Sequence, residues 1–424
     1  MKVFKFGGAS VNSAEAVRNM ARIVQHHLAG EPLAVVVSAM GKTTNDLEAL
    51  ARQDYGSEQW GALYDKIEQY HRGIACELLP GGEEVQQRIG NLLAHLADLC
   101  RARSSRHEDD AQFSASIVVH GEILSTNIIH AYLSSLGIRC RLTNALEYIQ
   151  TQDGSYSDAR VDWQRTLVAV RHMWNEGKDC DVVLAQGFIA SPDGGVHPCT
   201  LGREGSDYTA SILAYCLDAE SVTIWKDVPG FLNADPKYFP DTIKIEQIPY
   251  NEAIELAYYG ASVIHPKTVK PIQNKGIPLY IRSFITPEGE GSSVGNYHTI
   301  KPETPLYIFR NNQILLSILP RDFSFIAEDN LEYIFGRLNA LGIRVNLMQN
   351  SALSFSICVD HDEQRIAQLM EDLSSRFQVR YNDNLQLVTI RYYTQTVIDS
   401  IVAGRKVLLE QRSRSTEQIV VQRN

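Results

Sequence analysis

The chain has 424 residues, 44% hydrophobic and 21% charged, with a formal net charge of -10. That is the make-up of a soluble globular protein of two or three domains. The acidic balance, without any basic run interleaved with aromatics, disfavours a nucleic-acid binder, and no nucleic-acid partner is expected. Cys76, Cys100, Cys140, Cys180, Cys199, Cys216 and Cys358 are odd in number and never spaced C-x-x-C, so neither a disulfide framework nor a zinc site is expected, and no metal ligand is assigned. No stretch approaches about 18 consecutive apolar residues, so no membrane partner is expected, and the location expected is cytoplasmic.

In chain order, an apolar strand start runs into Lys5-Phe6-Gly7-Gly8-Ala9-Ser10. Glycines there let backbone N–H groups approach an anion, a helix starting near Ser10 adds its positive end, and Lys5 adds a mobile full charge. Alone, the segment is equally a tight turn beside a surface lysine. Leu33–Ser38, Ser116–Val119, Val182–Ala185 and Ser221–Trp225 read as buried strands alternating with helices, the α/β pattern of a mostly parallel sheet covered on both faces. Glu48–Arg103 reads as two or three helices broken near Pro80-Gly81-Gly82.

Residues 1–285 form the expected first domain, and the Gly-, Ser-, Pro- and Glu-rich stretch 286–305 the expected linker. Beyond it, a strand Gln313–Leu319, a helix Asp329–Leu341, strands Arg344–Gln349 and Ser354–Val359, a helix Glu363–Phe377 and a strand Gln386–Tyr392 follow the ferredoxin-like order. Residues 306–384 are expected as one such unit and 385–424 as a shortened second one packed on it. The second has a helix Thr396–Ala403 and strands Lys406–Arg412 and Glu417–Gln422.

The segment richest in chemistry is Gln186-Gly187-Phe188-Ile189 with Thr200-Leu201-Gly202-Arg203-Glu204-Gly205-Ser206-Asp207-Tyr208-Thr209-Ala210. Glycines, a guanidinium, a hydroxyl and a carboxylate at one helix start can grip a carboxylate and a phosphate together. Ser206 or Asp207 can equally be a plain N-cap and Arg203 a surface ion-pair partner.

KFGGASV (Lys5–Val11), QGFI (Gln186–Ile189), TLGREGSDYTA (Thr200–Ala210), WKDVPG with Asp235-Pro236, and GASVIHP (Gly260–Pro266) together resemble, in order and spacing, the aspartokinases of the amino-acid kinase fold. The resemblance implies an αβα sandwich followed by an ACT-type α+β regulatory region. It also implies ATP-dependent phosphorylation of the L-aspartate β-carboxylate to 4-phospho-L-aspartate with Mg²⁺, the first step of lysine, threonine and methionine biosynthesis. By the same resemblance Lys5 neutralises the transferring phosphoryl and Asp207 holds Lys5. Arg203 pairs with the substrate α-carboxylate and Glu122 takes its ammonium, with Ser38, Thr44, Phe188, Gly205 and Ser206 lining the substrate side.

On residues alone, Glu122 is a first-turn helix glutamate favoured by the dipole. For the nucleotide, the matching positions are Lys5, Phe6, Gly7, Gly8, Lys226, Asp227, Leu232, Lys237, Ser262 and Val263. Three of these depart from the family pattern. Lys226 stands where threonine is frequent, Leu232 where a tyrosine can stack, and Ser262 where a lysine is common. Lys226 and Lys267 are the candidates to restore the missing charge.

Gly41-Lys42-Thr43 imitates the end of a Walker A motif, but Val36 occupies the place of its first glycine. The remaining rivals are another amino-acid kinase, such as one acting on glutamate, and a catalytically decayed ACT amino-acid sensor. The resemblance further implies a homodimer and an amino-acid effector, threonine or lysine. Asn346 and Ala352 replace the acidic pair that helps lysine-inhibited relatives hold lysine. Asn346, Gln349, Asn350 and Ser351 suit a neutral effector or are simply polar edge residues.

Overall fold

A computed structural model describes residues 1–28, 30, 32–103, 110–152, 155–261, 263–322 and 324–423. They divide into two compact units, one of residues 1–231, 244–254 and 263–302, the other of residues 232–243, 255–262 and 303–424.

The first unit is built on eight strands: β1 Lys2–Phe6, β2 Leu33–Val37, β3 Cys140–Leu142, β4 Val182–Gln186, β5 Ser221–Lys226, β6 Gln247–Pro249, β7 Leu279–Ser283 and β8 Ser292–Gly295. Their order is β6-β8-β7-β5-β1-β2-β4-β3, and every pairing is parallel except β7 with β8. Their buried, branched sequences suit a sheet covered on both faces. Strand alternation then sorts β1. Phe4 and Phe6 join the large apolar cluster, where Trp225 stacks on Phe6 with ring centroids 6.1 Å apart. Val3 and Lys5 face the other way.

Helix α1 (Ala14–His27) begins where the Ser13 hydroxyl accepts from the Ala16 amide, and it buries Val17, Met20, Ala21 and Val24 at helical spacing,. The helix expected near Ser10 is instead a single 3-10 turn, Gly8–Val11. Helices α2 (Thr43–Ala51), α3 (Glu58–Leu78) and α4 (Glu83–Arg103) fill the expected helical stretch, with the break at Leu79–Gly82 where Gly81 turns left-handed. The expected strand Ser116–Val119 is not one. Those residues end α5 (Asp110–Val118) and lead into α6 (His120–Ser135). Four apolar residues are too few to separate a strand from a buried helical turn, and the helical neighbours decide. Helix α7 is Trp163–Gly177, α8 is Gly205–Cys216 and α9 is Pro266–Gln273.

Within 286–305, Ser292–Gly295 pair as β8, so part of that stretch belongs to the sheet. In the second unit, strands β9 (Leu306–Pro320), β10 (Val345–Asn350), β11 (Phe355–Asp360), β12 (Phe377–Arg391), β13 (Val407–Arg412) and β14 (Thr416–Gln422) form one antiparallel sheet in the order β10-β11-β9-β12-β14-β13. Helices α10 (Glu328–Ala340) and α11 (Glu363–Leu373) cover one core of this sheet, and α12 (Gln395–Val402) covers another. Strands β9 and β12 are 15 residues each and run through both parts, so the expected divide at 384/385 falls inside a continuous strand.

Two excursions of the chain pack with this sheet. Tyr238 stacks on Phe309 at 4.5 Å and the Tyr307 amide donates to the Asn233 carbonyl at 2.7 Å. Arg310 Nε donates to the Tyr259 carbonyl, also at 2.7 Å.

Candidate active site

Parallel sheets offer ligands the space beyond the carboxyl ends of their strands, and the chemistry gathers there. Lys5, near the end of β1, is buried and places Nζ 2.6 Å from Asp207 Oδ1. Asp207 lies in the first turn of α8 and is 1% exposed. From the end of β5, Lys226 reaches the other carboxylate oxygen, Oδ2, at 3.2 Å and donates to the Val263 carbonyl. Burial alone would push the Asp207 carboxyl up, but Lys5 and Lys226 outweigh it and hold the group below its ordinary range,. Burial would lower Lys226, yet Asp207 and then Glu204 raise it, so the ammonium stays charged. Asp207 is therefore a bridge between two lysines and no cap. The N-cap position is Glu204, which makes no capping bond.

The loop after β2 closes over the first glycines. Gly41 N donates to the Gly8 carbonyl at 3.1 Å, and a Cβ on Gly8 would lie 2.9 Å from the carbonyl oxygens of both Ala39 and Gly41. Only glycine lets these two backbones approach so closely. The same loop fixes Glu122 of α6, whose Oε1 accepts from the Ala39 amide at 3.1 Å. Oε2 is buried without a hydrogen-bond partner among the described residues. Burial raises the Glu122 carboxyl to about 8, against the pull of the Ala39 amide and of Lys5. A buried polar atom without a partner, on the wall of a cleft, is a point at which a bound molecule can complete the hydrogen bonding,.

Phe188 holds a left-handed φ of 69° and its amide donates to the Thr209 hydroxyl at 3.0 Å. Gly187 presses on the start of α8, where a Cβ would meet Ser206 Cβ at 2.4 Å. Arg203 is exposed and forms no ion pair among the described residues, so its guanidinium is available. These groups share one cleft of about 600 Å³, whose lining includes Lys5, Gly8, Ser38, Thr44, Glu122, Phe188, Arg203, Gly205, Ser206, Asp207 and Lys226.

Other sequence candidates fall elsewhere. Phe6 is fully buried in the apolar cluster, because its place on β1 turns it away from Lys5. Gly7 lies against the lysine, with its would-be Cβ 3.3 Å from Lys5 Nζ. Asp227 is exposed just past β5 and Val263 contributes its carbonyl to Lys226. Leu232 and Lys237 belong to the second unit, and Ser262 lies outside the described residues. Lys267 forms an ion pair with Asp158 and is not part of the cleft lining, whereas Lys226 is. His265 caps α9, its ring accepting from the Lys267 amide at 3.2 Å.

Glu48 and Ser157, which no sequence motif marks, also line the cleft, as do Gly202 and Glu204 of the glycine-rich segment, to which the family resemblance assigns no role. Glu204 carried a usable signal, since it interrupts a glycine-rich run. It is held at φ 54°, ψ 29°, a conformation costly for a side-chain-bearing residue, and burial raises its carboxyl against the pull of Lys226,.

The profile of the amino acid kinase family matches residues 1–283. The chain belongs to the amino acid kinase family. Among curated relatives, it is 27% identical over 384 residues to bifunctional aspartokinase/homoserine dehydrogenase 2 of Arabidopsis thaliana, covering 88% of this chain and 42% of that protein. It therefore spans about two fifths of the length of such bifunctional relatives. With lysine-sensitive aspartokinase 3 of Escherichia coli it shares 31% identity over 402 residues, 92% of this chain and 86% of the relative.

A crystal structure of E. coli aspartokinase III in complex with aspartate and ADP matches with a TM-score of 0.84 and 27% identity over 100% of this chain and 96% of the other. The likeness extends over both units of this family member: the mostly parallel sheet is that of the amino-acid kinase fold and the antiparallel sheet follows it, as in the aspartokinase structures.

Proposed function

We propose that this amino acid kinase transfers the γ-phosphoryl group of ATP to the β-carboxylate of L-aspartate, giving 4-phospho-L-aspartate and ADP. The observation that carries the proposal is the Lys5–Asp207–Lys226 bridge in one cleft with the orphaned Glu122 oxygen and the unpaired Arg203. An aspartate side chain is ionised at neutral pH, so the nucleophile needs no base. The obstacle is bringing that anion against a phosphoryl anion, and positioned positive charge removes it.

In this reading Glu122 receives the substrate ammonium and Arg203 its α-carboxylate through the bidentate geometry a guanidinium allows. That leaves the β-carboxylate directed at the phosphoryl. One carboxylate oxygen bonds to the γ-phosphorus as the bond to the β–γ bridging oxygen breaks. Lys5 compensates the charge on the transferring oxygens, and Asp207 holds Lys5 in position. Further neutralisation would come from Mg²⁺ held by the nucleotide phosphates and water. Ser38, Thr44, Phe188, Gly205 and Ser206 shape the substrate side. Gly7, Gly8, Lys226, Asp227 and Val263 serve the nucleotide, with Lys226 supplying positive charge there.

The antiparallel unit would bind an amino-acid effector and pair two chains as a cytoplasmic homodimer in lysine, threonine and methionine biosynthesis. Asn346 there donates to Gln313 at 2.9 Å and to Asp360 Oδ1 at 3.1 Å, so a carboxylate stands beside the position that lacks one in sequence. Lysine is thereby as admissible an effector as threonine. Trapping the acyl phosphate with hydroxylamine tests the activity. Hydroxamate formed with aspartate but not with glutamate supports it. Product with glutamate alone assigns another amino-acid kinase, and no product with either leaves a sensor.

A further inference from the structure

We propose that the first unit carries a second anion site, for a phosphate-class dianion, between the C-terminal half of α1 and the end of β7. A cavity of about 360 Å³ opens there, and its lining shares no residue with the catalytic cleft. Arg22, His26 and His27 come from α1, Arg282 from β7, and Glu288 is the single carboxylate of the lining.

Among the described residues, neither guanidinium of this lining has a carboxylate bonded to it. Arg22 donates only to the Asn19 side chain, at 3.2 Å, and neither Arg22 nor Arg282 forms an ion pair among the described residues. Arg282 rests its guanidinium 5.5 Å from the centre of the Tyr280 ring, and its Nε is buried with no hydrogen-bond partner among the described residues. A buried, unpaired guanidinium donor is rare and marks a position awaiting an acceptor.

The imidazole of His27 is fixed beside them. Its Nδ1 donates to the Ile23 carbonyl at 2.8 Å, and its ring packs edge-on against Phe4 and Trp225. Burial lowers its affinity for a proton, and the nearby Arg282 and Lys2 act in the same direction. Two guanidiniums lining one cavity match a tetrahedral dianion, which accepts several charge-assisted hydrogen bonds at once, whereas His27, held by Ile23 and by its aromatic neighbours, shapes the wall,. The bland alternative is that His26 and His27 merely complement the C-terminal end of the α1 dipole. That alternative does not account for Arg282, which comes from a different element.

The test is calorimetric titration of the full-length chain with inorganic phosphate. Saturable binding is expected, weakened by about tenfold or more in Arg22→Gln and Arg282→Gln and tightened about threefold in Glu288→Gln. Lys5→Met, which disables the cleft, leaves this binding in place. Arg22 is exposed, so its replacement does not endanger the fold if Arg282→Gln proves unstable. Absence of saturable binding, its loss in Lys5→Met, or its persistence at full strength in Arg22→Gln would overturn the proposal. Because phosphate binding is read directly, a failed aspartate kinase assay does not bear on it.

Discussion

Replacing Glu122 by glutamine probes the substrate end of the cleft. Burial raises its carboxyl to about 8. An ammonium needs the ionised form, so below that value binding must first remove a proton. One pH unit is worth about 1.4 kcal/mol, or about tenfold. Aspartate affinity is expected to rise about tenfold from pH 6 to 7, continue rising towards pH 8 and then level off. A proton released on binding at pH 6 makes the heat depend on the ionisation enthalpy of the buffer.

Glu122→Gln keeps an acceptor for the Ala39 amide but loses a charge-assisted bond of about 1.5–3 kcal/mol, so aspartate binds about 10- to 100-fold more weakly. The pH slope disappears with it. Stability moves oppositely. A carboxyl raised from 4.5 to about 8 stabilises the fold fully below 4.5, and that contribution is lost as pH rises through 8, by about 5 kcal/mol at most,. The glutamine variant should therefore melt higher than the parent at pH 8 and like it near pH 4.5. An unchanged pH slope of aspartate binding in Glu122→Gln, measured by calorimetry, would refute the assignment.

Lys5→Met should lower kcat by about 10²–10³-fold, since a positioned charge acting on the transferring group is worth about 3–4 kcal/mol, and steady-state kinetics with a melting control will show it. Lys226→Ala should raise the ATP KM about tenfold whereas Lys267→Ala leaves it unchanged, because Lys267 is committed to Asp158 outside the cleft,. Arg203→Lys should raise the aspartate KM about tenfold or more with no change in Tm, as the exposed guanidinium supports nothing in the fold,. Gly8→Ala sets a Cβ against two carbonyl oxygens at 2.9 Å and should cost about 1–3 kcal/mol of stability, read by denaturant titration, together with activity,.

Much of this site could be read in the sequence because its parts are contiguous. Lys5, the glycines after it, and the run from Arg203 to Asp207 are local signals at strand and helix ends. What could not be read depends on three-dimensional neighbours. Phe6 stands beside Lys5 in the chain but on the opposite face of β1, so strand alternation sends it to the core. Ser116–Val119 is apolar enough for a strand, yet it completes a helix because helices enclose it on both sides. The difference between Lys226 and Lys267 is equally invisible in sequence, since it rests on Asp158 being 109 positions from Lys267. The continuity of β9 and β12 also escaped notice, because each strand changes character along its length. Asn312, at φ 53°, interrupts the register of β9 where the two halves meet.

The two excursions 232–243 and 255–261 depend on residues that follow them in the chain. Their aromatic and carbonyl groups are anchored by Tyr307, Phe309 and Arg310, all on β9. Excising everything after residue 302 would strip both loops of their anchors, although neither lies in the excised stretch. The gene segment encoding the antiparallel sheet thus supplies scaffolding to loops encoded upstream of it. Recombination at the apparent linker would exchange more than the antiparallel sheet, and a graft would succeed only if the incoming strand reproduced the Tyr307 amide and the side chains of Phe309 and Arg310.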